Sequence, residues 1–184
     1  MCYSDGDTEK FVNEVLTQSR FTERFPVFLE KVFALGGGVI KVYYDEDTPE
    51  GVPGVRVDLV TADCFLPTEW NSHSITGGAF ASRIMSDGKG FILAETQQLD
   101  GDTLSVENRL MREDGGRADM SAVLPGLREK SSIKGLAAPL FVYLSTGARR
   151  VYSSGDCPLL GSSVFAGAED TLKSIDIVFD SLSR

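Results

Sequence analysis

Three strand-like segments joined by two Asp-Gly turns constrain the fold of this chain more than any other feature. Alternating and β-branched residues run through 74–85, 90–99 and 103–112, and the links between them contain Asp87-Gly88 and Asp100-Gly101. Asp-Gly between such segments is a strong signal for a tight hairpin. The pattern therefore predicts an antiparallel meander. Because Glu95, Gln97, Glu107 and Arg109 interleave with apolar residues, we expect one face of this sheet to be polar and the other to pack under helices.

The first third of the chain predicts two helices followed by a hairpin. Apolar residues recur at helical spacing from Phe11 to Leu16 and again from Phe21 to Phe33. Gly36-Gly37-Gly38 then separates the second helix from a β-rich segment at 39–44, and a polar turn leads to a second strand at 55–60. The glycines follow a helix and precede a strand, which is the reverse of a phosphate-binding loop, so they predict a helix C-cap with a close backbone approach.

Length and charge predict one acidic α+β domain spanning residues 1–184. The chain of 184 residues carries a net charge of −9, which opposes direct binding to nucleic acid. Its apolar runs are shorter than the ~18 residues that a membrane span requires, and its first residues do not resemble a secretory signal. The three scattered cysteines, Cys2, Cys64 and Cys157, fit neither a disulfide framework nor a metal motif. We therefore expect a cytoplasmic protein that does not bind a membrane.

The residues offer no recognisable catalytic, metal or cofactor site. His73 is the only histidine and lies in a polar turn, and neither Cys64 nor Cys157 has a basic neighbour in sequence that would favour its thiolate. We expect no enzymatic activity, no cofactor and no metal. An alternative is a small hydrolase that uses carboxylates brought together by the fold. Arg149 and Arg150, in a polar link, are weak candidates for contact with DNA or an acidic neighbour.

The C-terminal segment predicts an amphipathic helix over residues 162–184. Its apolar residues fall on one stripe at steps of three and four: Phe165, Ala168, Leu172, Ile175, Phe179 and Leu182. The pattern by itself favours a helix packed against the sheet of its own domain, and the same stripe is a candidate subunit interface. No Gly, Asn or Pro follows Leu182 as a stop signal. We therefore expect the end of this helix to fray, or the natural helix to continue beyond Arg184.

Three segments resemble portal proteins of tailed phages that infect Gram-positive bacteria. Residues 158–182, PLLGSSVFAGAEDTLKSIDIVFDSL, are similar to the segment that leads into the portal stem. Residues 34–44, ALGGGVIKVYY, resemble the helix-to-strand junction of that family, and residues 60–70, VTADCFLPTEW, resemble the strand and turn that follow. The three matches occur in the family's order, although the loops between them match loosely.

The resemblance implies a structural subunit of the portal ring, in its wing-like region, with residues 162–184 leading toward a stem that this chain lacks. Identical subunits, typically twelve, would form a DNA conduit at one capsid vertex. The ring would nucleate the procapsid, dock the terminase, contact head or scaffold proteins and later join the tail, meeting DNA only through its tunnel. Assembly would take place in the host cytoplasm and end in the virion. The alternative is a non-enzymatic bacterial binding module descended from a prophage portal gene.

Overall fold

The part of the chain that the structure describes is an α+β fold with two N-terminal helices, eight strands and a C-terminal helix, which confirms the predicted fold class. The computed structural model describes residues 6–45, 49, 54–147 and 157–182. The helices are α1 (Gly6–Gln18), α2 (Phe21–Leu35), α3 (Met120–Val123) and α4 (Glu169–Leu182). The strands are β1 (Gly37–Tyr44), β2 (Val55–Thr61), β3 (Phe65–Trp70), β4 (Ile75–Ser86), β5 (Lys89–Asp100), β6 (Thr103–Arg112), β7 (Lys130–Lys134) and β8 (Phe141–Ser145).

The strands form two antiparallel sheets rather than one. Five strands follow one another as a meander in the order β3-β4-β5-β6-β7, which confirms the predicted β4–β6 core of that sheet. The predicted hairpin β1–β2 belongs to a separate three-stranded sheet of order β2-β1-β8. β8 reaches β1 from about a hundred residues further along the chain, pairing Gly37 with Ser145 and Lys41 with Phe141.

The main hydrophobic core lies between the two sheets. Phe65 and Phe80 from the five-stranded sheet pack against Phe141 from the three-stranded sheet, with ring centroids 5.2–5.7 Å apart. Val39, Ile75 and Cys157 complete the buried cluster. Aromatic rings at these tilted and edge-to-face geometries stabilise a core beyond the area they bury.

Helices α1 and α2 pack on the three-stranded sheet and leave the five-stranded sheet to the inter-sheet core. Phe28 and Val32 of α2 are buried and lie directly over Gly38 of β1, where a side chain would come within 2.7 Å of the Phe28 ring. Ser19, at the turn between the helices, is buried and its hydroxyl accepts a hydrogen bond of 2.8 Å from the Val57 N–H. This bond satisfies an N–H group of β2, an edge strand of its sheet.

A second, smaller core supports the outer part of the meander. Phe91 and Leu110 are buried on one face of β5 and β6, and Met120 of α3 packs on them. Asp119 caps α3 by accepting a hydrogen bond of 3.0 Å from the Ser121 N–H. Helix α3 thus closes this second core.

The expected outward placement of two polar side chains of β5 is wrong. Gln97 is buried, and Glu95 forms an ion pair with Lys41 of the other sheet, so both lie on the inner face rather than on a polar outer face.

The expected start and packing of the C-terminal helix are also wrong. Helix α4 begins at Glu169 rather than at Ser162, and none of its residues is buried. Residues 163–168 instead form successive turns, with the Ser163 hydroxyl accepting from the Phe165 N–H. Such local side-chain bonds and Gly167 compete with helix formation.

Candidate subunit interface

A segment that we call the C-terminal strap, residues 157–164, crosses the junction between α2 and β1. Gly36 ends α2 with φ 91°, and its N–H donates to the Val32 carbonyl. A side chain at Gly36 would come within 2.6 Å of the Gly161 carbonyl oxygen. The predicted C-cap and close backbone approach at 36–38 are therefore confirmed, and the approaching backbone is the strap.

Hydrogen bonds fasten the strap to this junction. The Thr146 hydroxyl lies 3.2 Å from the Gly36 carbonyl and 2.7 Å from the Ser162 carbonyl, and so links β8, α2 and the strap. The Val164 N–H donates to the Phe33 carbonyl at 3.0 Å. Phe33 is in the last turn of α2, where carbonyls lack partners within the helix. The strap thus supplies a hydrogen-bond donor to a carbonyl group at the end of α2. It also determines where the C-terminal segment leaves the folded body.

The start of the strap is part of the core. Cys157 is buried among Phe65, Phe80 and Phe141, and Leu159 and Leu160 pack against the same cluster. Removing these residues from the core would expose aromatic surface of both sheets. The strap is therefore an integral part of the folded body, unlike the helix that follows it.

The predicted stripe divides into a turn part and a helical part. Phe165 and Ala168 precede α4, and Phe165 is exposed. The helical part comprises Leu172, Ile175, Phe179 and Leu182, which we call the α4 stripe, and its members are 52–82% exposed. An amphipathic helix with no residue buried within the described part of the chain is suited to contact another molecule.

Acidic residues border the α4 stripe. Glu169, Asp170, Asp176 and Asp180 lie off the stripe, and Lys173 is the one basic residue of the helix. At 100° per residue, Glu169 and Asp176 fall next to Leu172 on the same side of the helix. A binding partner for this face therefore has to offer apolar surface together with basic groups.

A second surface feature is a groove between α2 and β2. This groove, which we call the α2 groove, has a volume of about 410 Å³. It is lined by Arg20, Glu23, Arg24, Val27, Phe28, Lys31, Leu59 and Thr61. Arg24 is held by a 2.7 Å ion pair with Asp58, and Arg20 by a 2.9 Å ion pair with Glu23.

The groove was not predicted, although the sequence carries a signal for it. The six lining residues of the α2 segment form two adjacent rows at steps of four, 20-24-28 and 23-27-31, which places them on one helix face. The apolar residues of α2 alone indicate a core-facing stripe. The basic residues beside that stripe are the additional signal.

A polar cluster joins the two sheets within the core. Lys41 Nζ lies 2.9 Å from Glu95 Oε2 and 5.0 Å from the centroid of the Phe80 ring. Gln97 donates to the second oxygen of Glu95 at 2.6 Å. The side-chain oxygens of Gln97 and Asn108 are buried without a hydrogen-bond partner. The largely desolvated Lys41–Glu95 pair is a direct polar contact between the two sheets.

The residues considered for chemistry are not brought together. His73 is exposed in a turn where its backbone N–H donates to Asn71 Oδ1, Cys64 is half-buried and Cys157 is in the core. Within the described ranges, no group of three or more His, Cys, Asp or Glu side chains is placed to hold a metal ion. Burial, and then the charges of Asp58 and Asp45, raise the pKa of Tyr43 above its ordinary value of 10.0, which keeps that phenol neutral. Arg149, Arg150 and Cys2 lie outside the described residues.

No protein-family model matches this chain, and a search of the curated proteins gives no match either. None of the helices in the described part of the chain is long and apolar enough to cross a membrane. A functional proposal for this chain therefore depends on its own residues and geometry.

Proposed function

We propose that this chain is part of a phage or prophage portal subunit, with a structural rather than an enzymatic role. It corresponds in this proposal to the wing-like region and to the beginning of the helix directed toward the stem. The full-length subunit assembles with identical copies into the ring through which DNA enters the capsid.

The observation that carries the proposal is that the three segments resembling portal proteins pack together. Gly36 of the first segment contacts the backbone of Gly161 in the third. Val60 and Phe65 of the second segment share the inter-sheet core with Val39 of the first and with Leu159 of the third. Segments separated by tens of residues thus form one packed unit, as expected if they belong to one inherited structural element.

The exposed α4 stripe also supports this proposal. A subunit interface requires apolar surface that its own chain leaves accessible. Ile175 and Leu182 are 60% and 82% exposed, although the strap that precedes them begins at Cys157 in the inter-sheet core. A helix that leads into an assembly interface needs an anchored start and an accessible apolar face. The strap and α4 fit these two requirements.

The test is to express the complete natural reading frame and to examine it by native mass spectrometry and negative-stain microscopy. We expect closed rings of identical subunits. For these 184 residues alone we expect a monomer or a weak oligomer, because α4 is only 14 residues long. A full-length product that remains monomeric under all conditions would contradict the proposal.

A pair of variants tests whether α4 is involved. Leu172→Ser with Ile175→Ser removes apolar surface from an exposed helix face and should prevent ring formation while the thermal unfolding of the body is retained. Met85→Ser, at an exposed position at the end of β4, is the matched control and should leave the rings intact. Rings that persist in the α4 variant would exclude the stripe as a subunit interface. Genes for terminase and head proteins beside this one would favour the portal role over a bacterial binding module.

A further inference from the structure

We infer that the inner face of the five-stranded sheet binds an internal water molecule that donates hydrogen bonds to Gln97 and Asn108. The inference is independent of the proposed function, since it concerns the interior of this chain rather than its assembly. It rests on two buried side-chain oxygens, Gln97 Oε1 and Asn108 Oδ1, to which no group in the described part of the chain donates. Buried acceptors are almost always satisfied, and ordered water is the usual donor where the protein supplies none.

The amide orientations of both side chains are determined by their neighbours. Gln97 Nε2 donates to Glu95 Oε1 at 2.6 Å, and Asn108 Nδ2 donates to the Arg128 carbonyl at 2.9 Å. Exchanging the oxygen and nitrogen of either amide would place its oxygen against another acceptor and lose the bond. The two oxygens are therefore fixed as acceptors, and the group that satisfies them has to be a hydrogen-bond donor.

Strand register brings the two acceptors to neighbouring positions on one face of the sheet. Asn108 of β6 is paired with Glu95 of β5, and Gln97 lies two residues beyond Glu95, so all three share a face. Gln97 and Asn108 are thus diagonal neighbours, a relation in which residues are about 7–8 Å apart and longer side chains meet. A water that makes two hydrogen bonds of about 2.8 Å joins acceptors roughly 5 Å apart. Side chains at diagonal positions can bring their oxygens to that separation.

Apolar residues of both hydrophobic cores surround this pair of acceptors. Phe80, in the same cross-strand row as Asn108, belongs to the inter-sheet core. Leu93 and Leu110 form the adjacent row of the face and belong to the second core. Gln97 and Asn108 are accordingly only 3% and 7% exposed. Bulk solvent therefore does not reach the two oxygens, and a bound molecule has to satisfy them.

The local charge favours a neutral donor over a cation. The carboxylate nearest in register, Glu95, is already neutralised by Lys41 Nζ at 2.9 Å. A metal or ammonium ion held by two uncharged amides would add a buried positive charge without a counter-ion, which is strongly unfavourable. Water donates to both oxygens and adds no charge.

A high-resolution crystal structure of the full 184-residue chain tests the inference. We expect a water peak within hydrogen-bond distance, about 2.7–3.2 Å, of both Gln97 Oε1 and Asn108 Oδ1. A peak that contacts only one of the two oxygens, or neither, would overturn the inference. A protein donor on both oxygens, such as a reoriented Lys41 ammonium group, would overturn it as well.

Magnetic relaxation dispersion of the water nuclei provides a test in solution, because it counts internal waters that exchange slowly with the bulk. Gln97→Met removes one acceptor and should lose one such water relative to the wild type. Gln98→Met is the matched control, because Gln98 also donates to a glutamate, Glu69 Oε1 at 2.7 Å, but is exposed. The control should keep the wild-type count. Equal counts in the wild type and Gln97→Met would contradict the inference, and the crystal structure of the wild type decides the matter if Gln97→Met does not fold.

The identity of the salt distinguishes water from a bound cation. An ion that binds only the folded state raises the unfolding midpoint as its concentration rises. We expect the wild type, Gln97→Met and Gln98→Met to respond alike to sodium, potassium and ammonium chloride at one ionic strength. A midpoint that rises with one of these cations in the wild type and in Gln98→Met, but not in Gln97→Met, would replace the water with a cation and overturn the inference.

Discussion

The inter-sheet core and the α4 helix are built from similar apolar residues but differ completely in burial. Phe80 is 3% exposed, whereas Phe179 is 71% exposed. Both belong to segments with clear periodicity, one of strand type and one of helix type. The difference teaches that periodicity identifies an apolar face but does not identify what covers it. In this molecule the core face is covered by the second sheet and the strap, and we propose that the α4 face is covered by another copy.

The largest expected effect comes from truncating an apolar side chain on each side of this comparison. Phe80→Ala removes a ring that contacts both Phe65 and Phe141, and should lower the free energy of unfolding by about 3–5 kcal/mol. Leu172→Ala on α4, where the side chain is 52% exposed, should change it by less than about 0.5 kcal/mol. Urea denaturation of the monomer followed by circular dichroism measures both values. A large cost for Leu172→Ala would mean that α4 stabilises its own body.

The inter-sheet ion pair is expected to have the next largest effect. The side chains of Lys41 and Glu95 are only 12% and 19% exposed, so Glu95→Gln leaves a largely buried ammonium group without its counter-ion. We expect a loss of about 2–3 kcal/mol, somewhat below the ~3–5 kcal/mol typical of fully buried pairs.

A double-mutant cycle shows whether this loss belongs to the pair. Lys41→Met with Glu95→Gln should cost less than the sum of the two single changes, because no charge remains uncompensated. Additive costs in chemical denaturation would indicate that the two residues act independently. The exposed pair Arg83–Glu113, 2.6 Å apart, is the control, and its removal should cost well under about 1 kcal/mol.

Local signals predicted the meander well because they act over a few residues. Asp87 and Gly88 both adopt positive φ, at 49° and 72°, which is the conformation that an Asp-Gly hairpin turn requires. Strand β6 covers Thr103–Arg112, as its alternation predicts. Each of these features depends on a side chain and its immediate backbone.

Long-range placement was not predictable from the same signals. The pairing of β1 with β8 and the contact of Lys41 with Glu95 bring together residues far apart in sequence. Nothing in the alternation of β5 distinguishes a Glu95 that faces solvent from one that faces a lysine in a second sheet. For the same reason the α4 stripe was recognisable as a face, whereas its exposure required the folded structure.

Two glycines separate the effect of the strap from the effect of backbone strain. Gly36 and Gly115 have φ of 91° and 84°, but a side chain would meet the strap backbone only at Gly36 and open space at Gly115. Both substitutions to Ala incur the penalty of a left-handed conformation, about 1–2 kcal/mol. Gly36→Ala should cost about 1–2 kcal/mol more, because the strap has to move away. Equal losses in thermal or chemical unfolding would show that the strap is not firmly seated on the body.

The smallest expected effect is the cap of α3, and its pH dependence distinguishes it from general loss of charge. Hydrogen bonds from the Ser121 hydroxyl and then the Ser121 N–H lower the pKa of Asp119 below its ordinary value of 3.8. A carboxylate with a lowered folded-state pKa stabilises the fold above its unfolded pKa, and this contribution disappears as the pH falls through the folded value. Asp119→Ala should therefore lower the unfolding midpoint at neutral pH, and its difference from the wild type should shrink below about pH 4.

Asp170→Ala, on a helix with no buried residue, is the control and should leave the midpoint of the monomer unchanged throughout the titration. A difference for Asp119→Ala that stays constant down to acid pH would mean that the cap acts through packing of Met120 rather than through the charge of Asp119.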